Sequence, residues 1–187
     1  MNTAEQLKIS VDDYLQGELI SEIKYEYING EVYAMSGARR AHNIISMTLS
    51  RLLGNHLHGS ACQVYGSDMK VGILTNTDDF FYYADVHVSC EQSDNDLYNV
   101  EPKLIVEVLS DSTERKDRAE KFHNYRKLES LEEYVLVAQD TKRVEVYSRE
   151  ENWDLALFEE AGDFYLNSVD LRLDLADVYQ NVVLDSK

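Results

Sequence analysis

The sequence predicts a mixed α/β (α+β) domain in which a central mixed β-sheet is flanked by helices and preceded by a β-hairpin. Three observations predict it. Leu104-Ile105-Val106-Glu107-Val108-Leu109 is an almost continuous apolar run, the pattern of a strand covered on both faces at the middle of a sheet. Tyr25-Glu26-Tyr27-Ile28 and Glu31-Val32-Tyr33-Ala34 flank Asn29-Gly30, the pair best able to take the positive φ values of a tight hairpin turn. From about Ala38 to His58, Ile45, Leu49 and Leu52 recur with Ile44, Thr48 and Leu53 beside them, the spacing of a helix packed along one side.

In chain order, Ser10 before Val11-Asp12-Asp13-Tyr14 predicts a short capped helix, because a serine hydroxyl can accept from the open amides of a first turn. In the hairpin, Ile28 should oppose Glu31 and Glu26 should oppose Tyr33, which places both glutamates on one face. The helix from Ala38 to His58 stops at Gly59 and contains no acid. Strands follow at Gln63 to Tyr65, Asp68 to Leu74 and Phe81 to Ser89, with Asn76-Thr77-Asp78-Asp79 turning between the last two. An acidic loop from Glu91 to Glu101 ends at Pro102, the only proline. After the central strand, Ser110 or Ser112 can cap a helix from about Glu114 to Leu128. Strands at Tyr134 to Val137 and Arg143 to Tyr147 surround the Asp140-Thr141-Lys142 turn. In the tail, Leu171, Leu175, Val178 and Val182 fall at helical spacing.

The 187 residues suit one domain spanning 1–187. No run approaches the ~18 apolar residues that span a bilayer, and Met1 to Ser10 lacks the pattern of a signal peptide, so a cytoplasmic protein with no membrane partner is expected. Cys62 and Cys90 are too few for a disulfide framework or a paired-cysteine zinc site and are expected to be buried thiols. The formal charge of -17 repels polyanions. Against this, Arg115 to Lys127 concentrates Arg115, Lys116, Arg118, Lys121, Arg126 and Lys127 against Asp117 and Glu120. Such a run is either a solvated helix face or a weak, salt-sensitive contact for nucleic acid made through Arg115, Lys116 and Arg118.

Glu107 carries the most chemical information, since a carboxylate within an apolar central strand costs several kcal/mol to desolvate unless it is compensated. Asp85 lies in a second strand, with Val86 and Val88 on one face and Asp85, His87 and Ser89 on the other. Two carboxylates on adjacent strands suit a hard divalent ion such as magnesium; equally, they suit acids satisfied by backbone amides or an arginine.

Residues Tyr25 to Tyr33, Gly66-Ser67-Asp68-Met69, Ala84-Asp85-Val86 and Val106-Glu107-Val108-Leu109-Ser110 resemble the Uma-two family of restriction-endonuclease relatives. The match continues through Ser112-Thr113, Asp117, Lys121, Tyr125 and Glu133-Tyr134 and covers roughly residues 10 to 150. The resemblance implies the restriction-endonuclease-like fold of the PD-(D/E)XK nucleases and metal-dependent hydrolysis of nucleic-acid phosphodiesters, DNA foremost. It also implies a homodimer. Asp85 and Glu107 would hold magnesium, with manganese as a substitute, and a lysine would steer the attacking water and offset charge.

Two departures stand out. Ala84 replaces the usual proline before the aspartate, which removes no ligand. Leu109 stands where the lysine is expected, two residues after the glutamate, and Lys121 is the best substitute, with Asp117 one turn back and Tyr125 one turn on. Lys121→Met is then expected to spare the fold. Lys103 is a weaker candidate. A further acid is expected from the hairpin, Glu31 ahead of Glu26. His42, in register with Ile45 and Leu49, faces either the site or the core, while His56 and His58 point to different sides of their helix and cannot chelate one ion. The rival reading is a non-catalytic interaction module that keeps a nuclease fold, suggested by Leu109 and by the negative charge.

Overall fold

The computed structural model describes residues 8–91, 95–111 and 113–184. Helix α1 (Val11–Glu18) begins where Ser10 Oγ accepts from the Asp13 amide. Strands β1 (Tyr25–Ile28) and β2 (Glu31–Ala34) pair in the expected register, Ile28 opposite Glu31 and Glu26 opposite Tyr33. Asn29 and Gly30 turn between them at φ 51 and 96°, the left-handed values that favour this residue pair. Helix α2 (Arg40–His56) buries Ile45, Leu49 and Leu53.

Strands β3 (Gln63–Gly66), β4 (Lys70–Leu74), β5 (Asp79–Tyr82), β6 (Val86–Ser89) and the short β7 (Tyr98–Asn99) lead to the long β8 (Pro102–Leu109). A helical run follows, α3 (Glu114–Lys116), a π-helical segment Asp117–Lys121, and α4 (Phe122–Tyr125). Strands β9 (Glu133–Ala138), β10 (Arg143–Ser148) and β11 (Leu155–Glu159) complete the main sheet, and β12 (Asp163–Leu166) and β13 (Leu171–Asp174) precede the one-turn α5 (Leu175–Val178).

The main sheet is mixed, in the order β11-β10-β9-β8-β6-β3, with β8 and β9 parallel and the other neighbours antiparallel. A second sheet, β2-β1-β5-β4-β7, carries the hairpin. Leu104, Val106 and Val108 pack with the buried stripe of α2, while Ile105 and Leu109 pack with Tyr82, Tyr125 and Tyr134. Strand β8 is therefore covered on both faces, as its apolar run requires. Glu107 projects into the second of these layers.

Several expectations change. Phe81 to Ser89 is two strands: β5 belongs to the hairpin sheet and β6 to the main sheet, joined through Tyr83, Ala84 and Asp85. Both halves are buried on both faces, so the apolar pattern continues across the break and hides it. The tail is mostly not helical, because Leu171 and Leu173 serve a strand equally well and Asp174 then caps α5 by accepting from Ala176 N at 2.7 Å. The hairpin β12-β13 and the edge strand β11 had no expected counterpart. Thr113 takes the N-cap position of α3 without a side-chain cap bond, its hydroxyl meeting Ser110 Oγ at 2.9 Å; Ser112 lies outside the described residues.

Cys62 and Cys90 form a disulfide instead of remaining thiols. Gln63 pairs with Ser89, so one further step along the antiparallel ladder brings the two cysteines opposite each other. Among the described residues, no helix is long and apolar enough to cross a membrane.

Candidate active site

Glu107 sits in the middle of β8 and is 2% exposed. Asp85 lies in the bend before β6, and the pairing of Val86 with Val106 sets it beside Glu107. The backbone ties the two carboxylates together: Asp85 Oδ2 accepts from Val108 N–H at 2.7 Å, and Asp85 N–H donates to Glu107 Oε2 at 3.4 Å. Side chains thus replace ladder bonds where the two strands meet, a use of local backbone donors that fixes carboxylate direction.

Lys121 enters from the π-helical segment and is itself 5% exposed. Its ammonium lies 3.1 Å from Glu107 Oε1, 3.0 Å from Glu26 Oε1 and 3.6 Å from Asp117 Oδ1. Tyr125, one turn on, donates its hydroxyl to Glu107 Oε1 at 3.1 Å. On the other side, His42 Nε2 approaches Asp85 Oδ2 at 3.1 Å. The helix is wound wider than an α-helix where Asp117 and Lys121 must both face inward, and Tyr134 donates its hydroxyl to the Asp117 carbonyl at 3.0 Å. Such π turns recur at functional positions.

The position two residues after Glu107 shares its face, yet Leu109 there packs into the apolar layer with Tyr125, Leu128 and Leu131. The lysine charge reaches Glu107 from the helix, not from the strand. Glu26 and Glu31 exchange ranks. Glu26 is buried and held by two lysines, Lys121 and, at 2.6 Å, Lys116. Glu31 stays at the turn end of the hairpin, where it accepts from the Tyr33 hydroxyl and does not join the cluster. Strand alternation puts both on one face; only the packing of the helix over β1 separates them. Lys116 is the site neighbour that sequence reasoning missed, since nothing in a run of lysines and arginines marks which one turns inward.

The cationic run is largely neutralised within the molecule. Besides Lys116 and Lys121, Arg118 pairs with Glu114 and Glu145, and Lys127 with Asp78. Lys116 and Arg118, two of the three cations named as a contact for nucleic acid, are thus already held by carboxylates of the chain itself. Lys103 pairs with Glu132 at the far end of β8. His56 Nε2 meets the Val169 carbonyl, and His58 is exposed. A groove of about 640 Å³ opens elsewhere, between β10–β11 and β12–β13, lined in part by Leu155, Phe164 and Arg172, and includes none of the clustered acids.

Residues 11–176 match the Uma2 family model, described as "Putative restriction endonuclease". The chain belongs to the Uma2 family. It is 36% identical over 179 residues to the uncharacterized protein slr1290 of Synechocystis sp. (strain ATCC 27184 / PCC 6803 / Kazusa), a match covering 94% of this chain and 93% of that one. Another uncharacterized protein of the same strain, sll1609, is 36% identical over 145 residues, covering 75% of this chain and 81% of its own. A crystal structure from Anabaena variabilis ATCC 29413, described as a "putative nuclease belonging to DUF820", superposes with a TM-score of 0.72 at 15% identity. That match covers 94% of this chain and 99% of the other. At that identity the likeness establishes the shared, restriction-endonuclease-like fold.

The electrostatics of the Uma2 cluster follow from burial. Burial pulls the Lys121 ammonium down, but the carboxylates of Glu107, Glu26 and Asp117 outweigh it and hold the pKa well above the usual lysine range. Burial pushes the Glu107 carboxyl well above its ordinary value; Lys121 opposes this, and Asp117, Asp85 and Glu26 add to it. Asp117 is raised for the same first reason. Glu26 is raised by burial but pulled below its ordinary value by Lys121 and Lys116 together. Glu107 and Asp117 are thus pushed toward protonation despite Lys121, and a further cation near them would oppose that push.

Burial lowers the His42 pKa, yet the hydrogen bond and charge of Asp85 overcome it and raise it above 6.5. A group raised in the folded state contributes stability that is complete below its unfolded pKa and is lost as pH rises through the folded one. In EDTA, the stability advantage of wild type over His42→Gln is expected to be about 1 kcal/mol larger at pH 6 than at pH 8.5. Urea unfolding at both pH values measures it, and an unchanged gap would mean that the pair carries no charge.

Proposed function

We propose that this Uma2 protein is a magnesium-dependent endonuclease that hydrolyses nucleic-acid phosphodiesters, DNA foremost. The observation that carries the reading is the buried Lys121 ammonium held against Glu107, next to Asp85 in the bend that leads into the neighbouring β6. A carboxylate pair with a lysine is the donor set of the PD-(D/E)XK nucleases, here with the lysine supplied by the helix.

The residues fit a magnesium ion. Asp85, in the bend before β6, and Glu107, on β8, offer hard oxygens, and the buried Asp117 Oδ1 accepts no hydrogen bond, with the Lys121 ammonium 3.6 Å away. Among the described residues no group of three or more His, Cys, Asp or Glu is placed to hold a metal ion, so a magnesium ion there would rest on the Asp85–Glu107 pair and on water. Bound there, the ion would supply Lewis-acid stabilisation of phosphoryl charge and acidify water. The chain's own groups do the rest. Lys121 steers the attacking water and offsets negative charge growing on the phosphoryl oxygens, at a place where low dielectric strengthens its field. Glu26 and Asp117 keep Lys121 aimed, Tyr125 fixes the rotamer of Glu107, and His42 does the same for Asp85.

The reading includes one nuclease-like domain over 1–187 and, from the family resemblance, a homodimer, which light scattering would measure. It also includes a cytoplasmic setting; the Cys62–Cys90 bond, of a kind uncommon in reducing compartments, is the feature there to check by thiol labelling. Supercoiled plasmid incubated with wild type is expected to be nicked or linearised with magnesium or manganese and left intact in EDTA. No cleavage across metals, DNA and RNA would leave the interaction module as the better account, a reading favoured by the charge of -17.

A further inference from the structure

Most cations of this acidic chain are engaged inside it. Lys103 pairs with Glu132, Lys127 with Asp78, Arg143 with Glu145 and Arg172 with Asp163. Among the described residues, Arg40 and Arg115 are exposed and meet no carboxylate, and both adjoin the acidic cluster along the chain. Arg40 opens α2 two residues before His42, which touches Asp85. Arg115 precedes Lys116, which touches Glu26. Arg39 is also exposed and reaches Asp111, beyond the end of β8, at 3.4 Å. Such an exposed pair is worth about 1 kcal/mol or less, so a phosphate can displace it at little cost.

The backbone at this place has the same sign. The first turn of α2 contains no acidic residue, and its N-cap, Arg39, puts no side chain on the open amides. The helix has 17 residues, so its N-terminal partial charge adds to the arginines.

We propose that Arg39, Arg40 and Arg115 form a docking rim that seats a nucleic-acid phosphate backbone across the mouth of the Asp85–Glu107 cluster. The ligand class rests on the nuclease reading. Guanidinium forks suit phosphate oxygens, and these three lie at the starts of two helices that each send a side chain to the cluster, His42 from α2 to Asp85 and Lys116 from α3 to Glu26. In a field set by a charge of -17, a polyanion is held only where such a rim offsets the repulsion locally. Lys116 and Arg118 contribute less because Glu26 and Glu145 already hold them.

The test is anisotropy of a fluorescein-labelled DNA duplex in EDTA, so that nothing is cut, between about 50 and 200 mM salt. The triple variant Arg39→Ala, Arg40→Ala, Arg115→Ala is expected to bind at least about tenfold more weakly. Its plot of log affinity against log salt should flatten by about two to three, at roughly 0.9 per lost phosphate contact. A control triple with the same change in net charge, Arg51→Ala, Lys142→Ala, Arg172→Ala, should lose about twofold or less. Equal losses in the two triples, an unchanged rim variant, or a wild type that binds no duplex would each overturn the rim. Duplex bound through the rim but never cut with magnesium would instead overturn the nuclease reading and leave the rim standing.

Discussion

Lys121→Met is expected to lower phosphodiester cleavage by about 100-fold or more, the loss that follows removal of a positioned catalytic group. The sequence suggested that such a change would spare the fold. The structure revises this, because Lys121 is buried and faces Glu107, Glu26 and Asp117. Deleting one partner of a buried charge set leaves the others uncompensated, a cost of about 3–5 kcal/mol. That cost should shrink as pH falls, because Glu107 and Asp117, already raised by burial, take up protons in place of the missing ammonium. Urea unfolding at pH 5 and pH 8 measures it. The double variant Lys121→Met, Glu26→Gln separates the two effects: it should regain part of the stability, since one unpaired acid is gone, and none of the activity. Near wild-type cleavage in Lys121→Met would reduce the lysine to a counter-ion.

Asp85→Asn should remove cleavage almost completely, on the order of 1000-fold or more, beyond the 10–100-fold typical of groups that only support a metal ligand. Asparagine keeps the shape and can still accept from the Val108 amide, so the β6–β8 pairing has no reason to open. What disappears is the anion. Magnesium should therefore raise the melting temperature of wild type, by the equivalent of about 2.7 kcal/mol at 100 times Kd, and leave that of Asp85→Asn unmoved. Equal metal-induced stabilisation of the two proteins would sink the assignment of Asp85 as a ligand.

The elements that the sequence determined by itself are those governed by short-range periodicity. The Asn29-Gly30 turn imposes the hairpin register, the Ile45-Leu49-Leu53 stripe turns α2 inward, and the apolar run of β8 demands cover on both faces. A carboxylate inside that run is conspicuous for the same reason, so Glu107 stands out in the sequence alone, and the pairing of β6 with β8 sets Asp85 beside it. Tertiary structure decided which distant groups meet. Glu26 and Glu31 are equivalent by strand alternation, and only the docking of the π-helical segment over β1 gives Glu26 to Lys121. Lys116 and Arg118 look like free surface charge until β1 and β10 bring Glu26 and Glu145 against them. The break at Tyr83–Asp85 leaves no trace in an apolar pattern that both sheets bury, and the Cys62–Cys90 bond depends on a strand pairing that cysteine spacing does not encode. Periodicity says which way a side chain faces; the partner it finds there depends on how separate elements pack, and burial then turns that partner into a large energy, because the interior screens charge far less than water does.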